Sequence, residues 1–311
     1  MKNKARTAVV VFGFVRAEHI ERLLSSLYKN SETSGLPVFV RIDGGRTDEE
    51  VMLTAQVAEA ASLYVPKENV TVAKSNRGVR RAIAEGVSEV LETYDSVIVL
   101  EDDLVVSEFF LRFMLEGISR YSKDSRVASI HGYLLPGTAV ATGPFFLRGA
   151  DCWGWATWKS AWTGYREDAD QLLSDLKSRG LEHEFTFGGN SPHLRLLQLA
   201  AEGQIDSWAI CWHASTFLRN QYTLYPGESL VMNHGHDGSG THTPRSASYD
   251  TPIATAPIRI ANPVVSTSKA GWSNYSRFYR KKSRKRKRRD MIARLRFLAS
   301  QTTVRFVDVR K

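Results

Sequence analysis

Cysteine is nearly absent: Cys152 and Cys211 are the only two in 311 residues. Two thiols cannot build a disulfide framework, and neither sits in a C-x-x-C metal spacing, so a reducing compartment is expected. There is no run of about 18 apolar residues, so no membrane-spanning helix is expected. Lys2 and Lys4 ahead of the apolar Ala8–Val15 imitate a short signal peptide, but Arg16, Glu18 and His19 stand where a small-residue cleavage site would be needed. That run is expected to be a buried first strand. No G-x-G-x-x-G follows it, which argues against a dinucleotide fold, and no G-x-x-x-x-G-K-[ST] occurs, so a P-loop is excluded. Internal repeats are lacking too. Apolar residues make up 42% and charged residues 24%, which excludes a disordered chain, a collagen repeat and a coiled coil. The length suits one large domain or two modest ones.

Acidic residues are in deficit, 33 against 42 Lys plus Arg, giving a formal charge of +9. The decapeptide Arg280–Arg289 holds nine basic residues and no acid, so it carries the whole excess and the body is neutral. A nucleic-acid-binding body would more often be basic over its own face, and no nucleic-acid partner is expected. Attachment to an anionic membrane surface, at about 1 kcal/mol per basic residue near the lipid, is the favoured use of the decapeptide. A nucleic-acid patch or localisation signal, and a plain solvated tail, are the other readings. Beyond it, Met291, Ile292, Leu295 and Leu298 mark one face of a short helix.

What is present is a regular alternation. The continuous apolar run Ala8–Phe14 suits a parallel strand covered on both faces. Ile20, Leu23, Leu24 and Leu27 then fall at i, i+3, i+4 and i+7, the spacing of an amphipathic helix. Val38–Ile42 is a second strand. Thr47 followed by Asp48, Glu49 and Glu50 starts a helix running to about Tyr64. Strand Val70–Ala73, helix Val79–Tyr94, strand Ser96–Leu100, helix Phe109–Tyr121 and strand Val127–His131 follow. Such βα units predict a mainly parallel α/β sheet flanked by helices, with its crevice at the carboxyl ends of the strands. Arg16, Asp43, Asn76, Arg77 and the triplet Glu101-Asp102-Asp103 all fall at those ends. From about residue 133 short strands, tryptophans and loops replace the alternation, and residues 246–276 have the Pro, Ser, Thr and Ala content of an extended linker.

An acidic triplet ending a buried strand suits Mg²⁺ or Mn²⁺, hard cations that take oxygen ligands and complete their shell with phosphate oxygens. Such a cation offsets charge developing on a diphosphate leaving group. The bland alternative is a solvated acidic turn. The segment VIVLEDDLVVSEFFLRFM resembles the metal-binding strand of GT-A glycosyltransferases, in particular N-acetylglucosaminyltransferase I. GADCWGWATWKSAW and IDSWAICWHASTFLRN, with YPGESLVMNHGHDGSGTH after them, resemble a bacterial glycosyltransferase 2-like group. The resemblance covers roughly residues 8–242.

It implies a GT-A (Rossmann-like) fold and a nucleotide-sugar-binding half over 1–132. An irregular acceptor-binding half over 133–245, a linker over 246–276 and a basic tail over 277–311 follow. It also implies Asp103 as metal ligand, Asp102 at the ribose or a metal-bound water, Glu101 at the nucleoside, Arg16 at the nucleotide, and Asp43 accepting from the uracil N3–H. Arg77 pairs a phosphate or caps its loop. The structural alternative for Asp43 is a turn residue, since Asp-Gly is a strong turn pair.

Inverting transfer needs a base for the acceptor hydroxyl, and Asp206 in Ile205-Asp206-Ser207-Trp208 is the expected one. The related motif carries two acids, and Ser207 replaces the second. Glu184 and Glu228 are reserves, and capping is the structural alternative for Asp206. His242, or His234 or His236, is expected to complete the metal shell. Trp155, Trp158 and Trp162 have the spacing of one helix's packing stripe, whereas Trp153 and Asp151 are expected at the sugar. The resulting expectation is a metal-dependent inverting glycosyltransferase that uses a nucleotide-diphosphate sugar, UDP-linked by preference. Its acceptor would be a saccharide or lipid-linked glycan of cell-surface polysaccharide synthesis. It would lie in the cytoplasm, peripheral on the inner face of a bacterial plasma membrane. A sugar nucleotidyltransferase would want a glycine-rich basic loop where Phe12-Gly13-Phe14-Val15-Arg16 stands, and an inactive tethered binding module is the non-enzymatic competitor.

Overall fold

The structure, a computed structural model, describes residues 6–235 and 247–285. The first half runs β1 (Thr7–Gly13), α1 (Ala17–Leu27), β2 (Val38–Ile42), α2 (Asp48–Ser62), β3 (Val70–Val72), α3 (Val79–Thr93), β4 (Ser96–Glu101), β5 (Leu104–Val106), α4 (Phe110–Tyr121) and β6 (Val127–His131). The second half adds β7 (Phe145–Arg148), β8 (Trp155–Trp158), α5 (Lys159–Trp162), α6 (Ala169–Ser178), α7 (Glu182–Phe185), α8 (His193–Ala201), α9 (Trp208–Leu218), β9 (Tyr222–Tyr225) and β10 (Val231–Asn233).

One eight-stranded sheet has the order β3-β2-β1-β4-β8-β6-β9-β7, and β10 pairs with β5 in a separate ribbon. β3, β2, β1 and β4 are mutually parallel, and β6 and β9 run with them. β8 and β7 run against them. This is the expected Rossmann-like, mainly parallel α/β architecture. Ala8, Val9, Val10 and Val11 of β1 are fully buried, as are Val97–Leu100 of β4. Each such valine contributes about 1.5–3 kcal/mol through burial. α3 packs on β1 and β4, and α4 on β6 and β8. α2 starts as expected: the Thr47 hydroxyl accepts from Glu50 N while the Glu50 carboxylate accepts from Arg46 N at 2.7 Å.

Two expectations change. Trp155 and Trp158 lie on strand β8 and Trp162 on α5, so they do not share a helix. A four-residue strand flanked by β4 and β6 overrides the i, i+3 spacing. Their packing role holds: Trp155 is fully buried, and its ring centre lies 5.1 Å from that of Trp208 and 5.8 Å from that of Trp162. Within the expected linker, residues 247–276 are a strap and not a spacer. Ala254 N donates to Ser229 O, the Ser107 hydroxyl donates to Ala254 O, and Ile260 is buried. The chain is helical over 269–285, and this helix seats Tyr275 and Tyr279 in the core. The apolar face proposed at Met291–Leu298 lies outside the described residues. Among the described residues no helix is long and apolar enough to cross a membrane. Helices α6, α8 and α9 close a second, smaller core around Leu172, Leu176 and Phe185.

Candidate active site

The carboxyl ends of β1, β2, β3 and β4 open into a cleft of about 530 Å³. Eight of the residues singled out from the sequence line it: Arg16, Asp43, Asn76, Arg77, Glu101, Asp102 and Asp103 at the strand ends, and Asp206. At its floor Arg16 pairs with Asp102 Oδ1 and lies 3.9 Å from Asp103 Oδ2. Asp102 is only 5% exposed, and burial raises its pKa even though Arg16 works the other way. Glu101 is pushed well up, first by burial and then by the charges of Asp103 and Asp102. The triplet is therefore a concentration of negative charge that one guanidinium offsets only in part.

The short ribbon fixes the far wall. β10 pairs with β5 from Val231↔Val106 to Asn233↔Leu104, and His234 N then donates to Asp103 O at 2.7 Å. Gly235 lies so close that a Cβ there would be 2.3 Å from Asp103 Oδ2. His234 is thus tied to the triplet through its backbone. His236 and His242 lie outside the described residues. Among those residues no group of three or more His, Cys, Asp or Glu is placed to hold a metal ion by itself. The oxygen donors of Asp103 and its neighbours suit a hard cation that takes one or two carboxylates and draws its other ligands from phosphate and water.

Asp43 is engaged by its own loop and by the 76–78 turn. Its Oδ1 accepts from Gly44 N and Arg77 N, both at 2.9 Å, and its Oδ2 accepts from Gly78 N at 3.0 Å and Asn76 Nδ2 at 3.1 Å. A carboxylate has about four lone-pair sites, and all are taken. Asp43 therefore clamps the 76–78 turn, and direct acceptance from a base N–H would require a clamp bond to break. Arg77 pairs with Glu85 at 2.7 Å across the turn, and its guanidinium is half-exposed at the cleft. Asp206 caps α3: its Oδ2 accepts from Arg80 N at 3.2 Å and its Oδ1 lies 3.0 Å from Arg80 Nε. Gly78, at φ +78°, makes room for it, since a Cβ would meet Asp206 Oδ2 at 2.7 Å. Of the reserves, Glu184 pairs with Arg148 at 3.0 Å and neither it nor the exposed Glu228 lines the cleft.

Asp151 and Trp153 do not line this cleft; they form a recess beside it. β8 runs against β4 with Val99 opposite Trp155, so residues 151–154 pass alongside the end of β4. Gly132 N donates to Gly154 O at 2.7 Å and ties the segment to β6. Asp151 accepts from Cys152 N at 3.1 Å, and the neighbouring Tyr225 hydroxyl favours its ionised form. Its side chain is 37% exposed at the mouth, while the protein packed around it raises its pKa to about 6. Tyr133 meets Trp153 edge-on at 4.7 Å between ring centres, and Trp153 meets Tyr249 at 5.3 Å. The Tyr133 hydroxyl donates to Tyr249 O at 2.7 Å.

Several cleft residues went unnoticed in the sequence. Arg41 and Arg46 add cationic surface, although Glu89 and Glu50 pair with them. Arg41 alternates with buried residues of β2, which is the one local cue for it. Arg80 carried no signal, because its partner Asp206 is 126 residues away. Both cysteines are free, and burial pushes the Cys152 thiol well up and that of Cys211 to about 11, so neither is a ready nucleophile.

No protein-family model matches the chain, and no curated protein matches its sequence. Among solved structures, the mannosyltransferase PcManGT from Pyrobaculum calidifontis, in complex with GDP-Man and Mn²⁺, is 19% identical with a TM-score of 0.30. That match covers 42% of this chain and only 35% of the mannosyltransferase. Glucosyl-3-phosphoglycerate synthase from Mycobacterium tuberculosis, with Mg²⁺ and UDP, is 12% identical with a TM-score of 0.38, over 66% of this chain and 82% of its own. The same synthase with Mn²⁺, UDP and glucosyl-3-phosphoglycerate gives 12% and 0.37, over 58% and 68%. These are partial likenesses of fold and carry no assignment of activity.

Proposed function

We propose that the protein is a metal-dependent inverting glycosyltransferase that takes its sugar from a nucleotide-diphosphate donor. The observation that carries this reading is the cleft itself: an acidic triplet bridged by Arg16 at the end of a central strand, with Arg41, Arg46 and Arg77 around it. Cationic side chains beside carboxylates suit a diphosphate bound together with a divalent cation. The resemblance of the acidic strand to GT-A enzymes and to N-acetylglucosaminyltransferase I supports it, and favours UDP. Glucosyl or mannosyl donors and N-acetylhexosaminyl donors fit the cleft chemistry equally.

The chain's own residues have distinct tasks in this reading. Asp103, facing the cleft, holds Mn²⁺ or Mg²⁺ with phosphate oxygens, and His242 is the proposed further ligand. The cation, when bound, offsets the charge of the departing diphosphate. Arg16 is placed to share a phosphate between Asp102 and Asp103. Asp43 shapes the nucleoside end by holding the 76–78 turn, and Glu101 and Arg77 border it. Asp206, the base expected from the sequence, caps the helix at the cleft's edge with both oxygens engaged by Arg80. Asp151 and Trp153 face the saccharide. The acceptor is proposed to be a saccharide or lipid-linked glycan of the cell surface. Arg280, Lys281, Arg284 and Lys285 are exposed on the last described helix and are proposed to hold the enzyme at an anionic, cytoplasm-facing membrane.

Calorimetric titration with UDP, GDP, CDP and dTDP, each with Mn²⁺ and with EDTA, tests the reading. One nucleotide should bind only with metal, and Asp103→Ala should abolish that binding. Absence of binding for every nucleotide would refute the transferase reading.

A further inference from the structure

The wild-type cleft contains a carboxylate placed to accept a proton, Asp206, yet both its oxygens are engaged by Arg80 and the start of α3. The recess next to it holds another. Resting on the transferase reading, we propose that Asp151 is the base that deprotonates the acceptor, and that Trp153 and Tyr249, partly exposed and backed by the buried Tyr133, form the wall against which the acceptor saccharide sits.

Three observations bear on this. The first is position. The β4–β8 ladder carries Asp151 to the carboxyl end of β4, and Cys152 is close enough to Glu101 and Asp103 to feel both charges. The recess therefore adjoins the donor cleft along the sheet edge. The second is chemistry. Aromatic faces stack on the C–H surfaces of a pyranose, while a single carboxylate among them accepts from its hydroxyls. The third is an unpartnered group. His131 ends β6, is fully buried, and points Nε2 toward Asp151 Oδ2 at 3.8 Å. Neither of its ring nitrogens has a hydrogen-bond partner among the described residues. A buried imidazole N–H without a partner costs about 1–3 kcal/mol, and the Asp151 carboxylate lies just beyond hydrogen-bond distance of it.

The step balances without a further reactant. The acceptor oxygen forms the new bond to the anomeric carbon as the bond from that carbon to the diphosphate oxygen breaks. The nucleotide diphosphate leaves with the electron pair, and the hydroxyl proton passes to Asp151. Among the histidine and tyrosines packed around Asp151 none takes a proton in the same range; Glu101 and Asp102, which burial also raises, belong to the donor cleft and titrate alike in wild type and in Asp151→Asn. Burial lowers His131 to about 3, so it stays neutral. Tyr133 and Tyr249, behind and in the wall, are pushed up, as are Tyr225 from β9 and Tyr275 and Tyr279 from the last helix. Asp250 is exposed on the strap outside Tyr133, and Lys282 sits over the outer face of Tyr249 with its pKa lowered to about 8.

The test uses the full chain. Nucleotide titration identifies the donor nucleotide; release of that diphosphate from its common sugar donors is then followed from pH 5 to 9, with water and methyl pyranosides as acceptors. Asp151→Asn should keep metal-dependent nucleotide affinity within twofold and lose about 10²–10⁴-fold in turnover. The wild-type rate should fall below about pH 6, where Asp151 is protonated, and the residual Asp151→Asn rate should lose that inflection, keeping only the acid dependence that metal-dependent nucleotide binding itself shows. Asp206→Asn should retain the inflection. Turnover of Asp151→Asn within threefold of wild type, or an unchanged acid limb, would overturn the proposal. Saturation-transfer NMR of the methyl pyranosides gives a second readout: contact in wild type, lost in Trp153→Ala. Absence of contact in wild type overturns the wall. Failure of all nucleotides to bind refutes the donor cleft instead, and leaves the pyranoside result to stand by itself.

Discussion

Adding one methyl group at Gly235 probes the metal reading without touching any charged residue. An alanine Cβ there would lie 2.3 Å from Asp103 Oδ2 and 3.0 Å from its Cγ. Carbon and oxygen atoms rest nearer 3.3 Å, so the carboxylate must retreat by roughly 1 Å. The neighbour that gives way is the end of a side chain, so the fold should tolerate the change. A displacement of this size in a metal-ligating group costs about 10–100-fold in metal affinity, or about 1.4–2.8 kcal/mol. Gly235→Ala should therefore weaken Mn²⁺-dependent nucleotide binding by that factor, while titrations in EDTA stay as blank as those of wild type. Calorimetry with the nucleotide that binds wild type reads the ratio, and a thermal melt checks the fold. Metal-dependent affinity within twofold of wild type, with the melt unchanged, would refute Asp103 as the ligand.

Arg16→Ala leaves the buried Asp102 without its cation, which should cost on the order of 3 kcal/mol at pH 8. Arg16 holds the Asp102 pKa down, so its loss raises that pKa further, and the penalty should shrink as acid protonates the carboxyl. Urea denaturation at pH 8 and pH 5 measures the difference. Asp151→Asn should stabilise the fold at pH 8: a carboxyl whose folded pKa is raised to about 6 destabilises the native state once ionised and does not below about pH 4. Equal melting shifts at pH 4 and pH 8 would contradict it. Trp155→Ala, which empties a fully buried indole site among Trp208, Trp162 and Trp212, should cost about 3–5 kcal/mol by the same denaturation assay.

The first half was legible because its elements are long enough for their periods to show. β6 has the expected bounds of Val127–His131, and α1, α2 and α4 lie where their apolar spacing and caps put them. The ends of those strands then placed seven site residues on one cleft. The second half was not legible in the same way. A four-residue strand such as Trp-Ala-Thr-Trp shows no period of its own, and its spacing mimics a helix until β4 and β6 flank it. Asp43 read as a turn residue or a ligand, and its clamp bonds come from residues 33 to 35 positions later. The His131–Asp151 approach exists only because β8 lies between β4 and β6. Such long-range pairings leave no local trace.

Because β8 enters the sheet from the edge where the other central strands leave it, the spacing between the two halves of the site is metered by ladder register. Val99 faces Trp155, and His131 faces Trp155 from the other side. Sliding β8 by one residue would move Asp151 by about 3.3 Å and turn its side chain to the opposite face of the sheet. The separation between the acidic triplet and the aromatic recess is therefore quantised: it can hold its present value or jump, but it cannot drift. Variation in what the recess accepts must then come from the side chains on its wall, with the ruler between donor and acceptor left alone.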